Sequence, residues 1–145
     1  MADASVQTYA NHRRFLIPWH FVVLPILAAN AIVEIVRLVR DPGLGTAWRA
    51  IVAIALLTAL ICARWMARTV QDRVIRLEET QRLGALLPGR AHDIERLSLD
   101  HFIAIRFASD DEVPHLVDRI LSGDLTGRDD VKRAIQHWRS DYLRV

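Results

Sequence analysis

A chain of 145 residues leaves room for one ordinary domain, and a composition at once 52% hydrophobic and 25% charged does not describe a uniform soluble one. The pI of about 9.2 invites a nucleic-acid reading, but the positive charge is not where that function needs it. Residues 1–68 hold seven Arg against three acidic residues, whereas residues 69–145 hold twelve Lys and Arg against fourteen Asp and Glu, the wrong sign for gripping a phosphate backbone.

Residues 1–14 form a short N-terminal segment ahead of the first apolar run. From Phe15 to Val33 nineteen residues carry no formal charge, and at about 1.5 Å per residue they cover roughly 28 Å, one hydrocarbon core. Arg13-Arg14 and Ala29-Asn30-Ala31 also fit a cleaved leader. A retained span over about 15–36 is the expectation. A second run, Ala50 to Ala63, is short at about 21 Å. Arg49 and Arg64 at its ends can snorkel outward, and Trp48 and Trp65 sit where an aromatic belt would, so residues 46–67 suffice for a second span. The Pro/Gly turn Arg40–Gly45 allows only a tight hairpin between them. Six Arg (13, 14, 64, 68, 73, 76) lie on the terminal side against three (37, 40, 49) on the hairpin side, which places both termini in the cytoplasm.

No breaker interrupts Ala50 to Leu83, so the second span is expected to run on as a stalk until Pro88-Gly89. Val70, Val74 and Leu77 make a short seam. Gln81 and Gly84 do not continue it, which favours packing on the chain's own domain over a coiled coil. A helix over about His92–Phe107 follows, with apolar stripes Ile94, Leu97, Ala104 and Leu99, Phe102, Ile103. Ser109 or Asp111 is expected to cap the next helix, whose apolar face is Val113, Leu116, Val117, Ile120 and Leu121. Gly123 closes it, and Thr126 with Asp129 opens a last helix with the face Val131, Ile135 and Trp138. The fold class is therefore all-α: a two-helix transmembrane hairpin (15–67), then a stalk helix and a small cytoplasmic helical bundle (68–145).

Four stretches together resemble a known family: Gln7–His12, Gln71–Glu78, Ile105–Glu112 and Ile135–Val145. The resemblance is to an uncharacterised bacterial family of small two-span membrane proteins. It covers nearly the whole chain and implies the architecture and a bacterial source, and it brings no activity, cofactor or catalytic residue.

The side chains that could carry chemistry each have a plainer reading. His20, between Trp19 and Phe21, is the residue type that ligates haem or a pigment. Interfacial contact near the membrane surface explains it as well, and no cofactor is expected. Asn30 and Glu34 are one turn apart near the far end of the first span, with Arg37 three residues on. Two helices cannot enclose a pore, so an ion pair and contact with a neighbouring helix are expected. Asp111, His115 and Asp118 share a face, as do His137 and Asp141, but zinc needs about three convergent ligands and no metal is expected. Asp129 and Asp130 sit where a recognition helix would meet DNA, which excludes a nucleic-acid partner.

With no Gly-rich phosphate loop, nucleophile elbow or metal motif, the chain reads as a non-enzyme. The function expected is that of an accessory or scaffold subunit of a larger bacterial inner-membrane complex, respiratory or photosynthetic. Its partners are the lipid bilayer and other membrane subunits. Its interface residues would be Trp19, Asn30, Glu34, Val70, Val74, Leu77, Trp138 and Tyr142. The alternative is a membrane-anchored regulator or sensor that forms homo-oligomers through the stalk.

Overall fold

The computed structural model describes residues 7–9 and 16–141. Among these the regular secondary structure is all helical, with one isolated antiparallel bridge, Ala108 to Trp138. The described residues divide into two compact units, 16–69 and 70–141, the latter including Gln7–Tyr9.

In the first unit a π-helical stretch, Pro18–Val23, leads directly into α1, Leu24–Arg40. The widened turns have a local cause in Pro25. Its ring has no N–H to offer and would clash with the carbonyl four residues back in a regular α-helix, and a π-bulge relieves that clash. The helix continues past residue 36, where the first span was expected to stop, because nothing breaks it before Pro42. Asp41, ahead of that proline, leaves the helical region at φ −138° and ψ 80°. A three-residue link leads to α2, Leu44–Leu86, which is 43 residues long. Thr46 organises the link: its hydroxyl oxygen accepts the Gly43 N–H at 2.9 Å and lies 2.8 Å from the Gly43 carbonyl. Ala31, Ala50 and Ala53 are buried in this unit, and small side chains let two helices approach closely. Pro18–Arg40 and α2 are both long and apolar enough to cross a membrane, and only 11% of each apolar window is buried. The core helix of a soluble protein would be mostly covered.

In the second unit α2 ends before Pro88, and Gly89 turns the chain at φ +82°, a conformation that glycine adopts without a Cβ penalty. Where one helix was expected over 92–107 there are two, α3 (Ala91–Glu95) and α4 (Leu99–Ile105). Ser98 starts the second: its hydroxyl accepts the His101 N–H at 3.3 Å, and its own N–H donates to His101 Nδ1 at 3.1 Å. The break lets Ile94 and Leu97 pack on one side while Phe102–Ile105 are engulfed on all sides. α5, Val113–Leu121, ends ahead of Gly123, which has φ +84°. Its N-terminus corrects the expected cap: Glu112, not Ser109 or Asp111, precedes it, and no side chain caps it. α6, Arg128–Ala134, is capped one residue later than expected, with the Gly127 N–H donating to Asp130 Oδ2 at 3.1 Å. It stops at Ala134, so Trp138 is not on its face but in an extended segment. The Trp138 ring lies 5.1 Å from that of Phe107.

The core gathers Leu83, Phe102, Ile105, Phe107, Val113, Val117 and Val131. α2 contributes Leu83 to it, Leu87 follows directly after the helix, and Ile75 and Glu79 are buried on the same face of α2. The seam Val70, Val74 and Leu77, expected against the domain, stays 61%, 46% and 71% exposed. Leu83→Ala should therefore cost about 2–5 kcal/mol of stability for the loss of a fully buried side chain. Leu77→Ala should stay within about 0.5 kcal/mol. Denaturant unfolding of the two variants in detergent, followed by near-UV circular dichroism, checks the pair.

Candidate interaction surface

The second unit presents a groove of about 880 Å³. One wall is α2, from Val74 to Arg82, and the other is the segment Arg139–Asp141. Both walls are held by specific bonds. Arg82 donates to Glu79 Oε2 at 3.0 Å, to Asp110 Oδ1 at 2.8 Å and to the Ala108 carbonyl at 2.7 Å. A guanidinium suits this task because its donors project in a fixed fork. The extended segment is pinned from below by Glu112, whose Oε1 accepts the backbone N–H groups of Gln136 at 3.1 Å and His137 at 3.0 Å. That is why Glu112 does not cap its own helix. The bridge adds Ser109 N–H to the His137 carbonyl at 3.1 Å and Arg139 N–H to the Phe107 carbonyl at 2.7 Å.

Beneath the groove the guanidinium of Arg106, 5% exposed, stacks 4.4 Å from the Phe107 ring centre and sits 3.4 Å from Asp141 Oδ2. Gln7 and Tyr9 close the arrangement. Gln7 donates from its backbone to Ser140 Oγ at 3.2 Å and accepts the Asp141 N–H at 2.8 Å, while Arg133 lies over the Tyr9 ring.

Glu79 is the unusual member. Its carboxyl is buried, and desolvation pushes its pKa above the ordinary value, partly offset by the charge and hydrogen bond of Arg82 and by the charges of Arg139 and Arg106. Neither Glu79, Arg82, Arg106 nor Arg139 stood out in the sequence. The available signal was Ile75–Glu79–Leu83, an i, i+4, i+8 stripe that puts a carboxylate between two buried apolar residues.

The residues expected to matter fall in separate places. Val74 lines the groove, with Val70 and Leu77 exposed on the same helix and Trp138 seated on the core beside it. Tyr142 lies outside the described residues. In the first unit, His20 Nδ1 donates to the Leu16 carbonyl at 3.0 Å, and Trp19 stacks edge-on with its centre 4.7 Å from the imidazole. Asn30 is exposed, while Glu34 is buried and bonded to Arg37 at 2.7 Å. Arg49 reaches Glu34 Oε2 at 3.2 Å while its side chain stays 55% exposed. Among the described residues no group of three His, Cys, Asp or Glu is placed to hold a metal ion. Asp118 is engaged by Arg90 at 2.6 Å and His137 by Glu112, so neither acidic face converges.

A model of a family of unknown function, DUF6526, matches residues 1–145. The chain belongs to that family. No curated protein and no solved structure matches it. The match extends over both units.

Because the folded-state pKa of Glu79 is raised, its contribution favours folding at low pH and is lost as pH rises through that raised value. Glu79→Gln removes the titration. Melting the full chain and the variant at pH 4 and pH 7 should show the wild type losing ground relative to the variant at the higher pH. A constant difference would place the carboxyl in water.

Proposed function

We propose that this chain is a two-span protein of the bacterial inner membrane. In this reading α1 and the first half of α2 form a transmembrane hairpin, both termini are cytoplasmic, and the second half of α2 is a stalk. The helical unit then serves as the docking part of a non-catalytic accessory or scaffold subunit. The membrane reading draws support from two apolar helices whose surface the rest of the chain leaves uncovered. Gln7 bonding to Ser140 and Asp141 keeps the two terminal segments together, as a common side of the membrane requires.

The observation that carries the scaffold reading is the exposed stripe Val70, Val74 and Leu77 beside a groove rimmed by Glu78, Arg82 and Arg139. An apolar strip with a charged rim is the anatomy of a protein interface, and water disfavours leaving such a strip bare. The partner would be a helix or extended segment of another membrane subunit in a respiratory or photosynthetic assembly. A second reading has specific support too: the same stripe at i, i+4 and i+7 is the start of a coiled-coil seam, through which a regulator would pair with its own copy.

Gentle-detergent purification of the tagged chain from its native membrane separates the two. As a scaffold subunit it should elute in a large particle with other chains in fixed ratio, and the visible spectrum of that particle reports whether it is energy-converting. Val74→Glu with Leu77→Glu should release the chain from the particle while leaving it in the membrane fraction. A small, colourless homo-oligomer dissolved by the same double variant would instead establish the self-associating regulator.

A further inference from the structure

At the loop end of the first unit, two guanidiniums converge on one buried carboxylate. Arg37 bonds Glu34 Oε1 at 2.7 Å and Arg49 bonds Glu34 Oε2 at 3.2 Å, so the cluster keeps one net positive charge. Each guanidinium has five N–H donors and places one on Glu34. Their side chains are 59% and 55% exposed, so the remaining donors look outward. Beside the cluster lies a groove of about 280 Å³, just below the size of small-molecule pockets at about 300–1,000 Å³. Trp48, Asn30, Val52 and Leu56 line it.

The groups in this groove come in a definite order along the helices. Arg49 and Glu34 are level with each other, as their bond requires. Asn30 lies one helical turn deeper on α1, and Val52 and Leu56 lie one and two turns deeper on α2. Asn30 is exposed on an otherwise apolar surface, which in hydrocarbon leaves an amide seeking a partner.

We infer that this groove holds an anionic phospholipid. The inference rests on reading the first unit as membrane-embedded. The phosphate sits on Arg49 and Arg37, an ester carbonyl accepts from the Asn30 amide, and the acyl chain lies along Val52 and Leu56. Trp48, 65% exposed, stands at the headgroup level where its amphipathic ring is favoured. Basic pockets between membrane helices recognise lipid headgroups by this chemistry. A second copy of the chain fits less well, because a symmetric contact would bring one net positive cluster against another.

The test uses the full chain in vesicles with Trp48 as sole tryptophan, Trp19, Trp65 and Trp138 being replaced by Phe. Brominated phosphatidylglycerol and brominated phosphatidylcholine are compared as quenchers at equal mole fraction. One net charge near the surface corresponds to about fivefold enrichment of the anionic lipid at Trp48. Arg37→Gln and Arg49→Gln should each erase most of it without reducing quenching by phosphatidylcholine. Equal quenching by both lipids overturns the inference. So does protection of Trp48 from both while Trp65, as sole tryptophan, is quenched, since a protein then covers the groove. Loss of the preference on adding soluble glycerol phosphate would show a headgroup site without a lipid. If neither lipid quenches either tryptophan, the membrane reading itself fails, which is a distinguishable result. Native mass spectrometry of the wild-type chain, with its four tryptophans intact, provides the same comparison should the triple replacement not fold: phosphatidylglycerol adducts outlasting phosphatidylcholine adducts support the site, and equal retention overturns it.

Discussion

Arg82 is the contact on which the second unit depends. It stands on α2 one residue before the fully buried Leu83, and it joins Glu79, Asp110 and the Ala108 carbonyl. Those bonds hold the loop after α4 against α2. That loop in turn carries Phe107 and Ala108, to which the extended segment Ile135–Asp141 is attached. Without the guanidinium, Glu79 would be a buried carboxylate facing only the more distant charges of Arg106 and Arg139. Removing one partner of a buried pair typically costs about 3–5 kcal/mol. The groove, its rim and the clasp on Gln7 all follow from that one anchor.

The two units repeat one device in different settings. Glu34 and Glu79 are both buried on helices, and each is held by an arginine three residues on, Arg37 and Arg82. An acid and a base three residues apart share a helix face, so the pairing is available wherever the backbone is helical. What differs is the second partner: Arg49 leaves the first cluster with one net positive charge, whereas Asp110 sets a second carboxylate on Arg82. The first cluster is therefore suited to an anion.

The helices of this family member were legible wherever breakers and apolar runs decided them: Pro42, Pro88 and Gly123 mark ends that the structure keeps. What was not legible depended on tertiary competition for side chains. Glu112 directly precedes α5, where Ser109 or Asp111 was expected as the cap, and is occupied with the backbone of Gln136 and His137, contacts 24 and 25 residues away. Ser98 interrupts a stretch that reads as one amphipathic helix, because its cap with His101 lets Ile94 and Leu97 be buried along with Phe102, Ile103 and Ala104, leaving only Leu99 of the two stripes exposed. Trp138 continues the helical spacing of Val131 and Ile135, yet the bridge to Ala108 claims it. The exposed seam was visible as a pattern, but its direction was not, since Ile75 and Leu83 offered α2 an equally apolar face one step around.

Cys62 offers the most direct test of the membrane reading that underlies the account. It lies within the apolar part of α2 and is exposed on the protein surface, so only lipid would shield it. In membranes opened to reagent on both sides, a charged maleimide should leave Cys62 unmodified until the sample is denatured in dodecyl sulfate. Rapid labelling of Cys62 in the opened membranes would mean that water bathes the apolar run Ala50–Ala63, and the transmembrane hairpin would have to be abandoned.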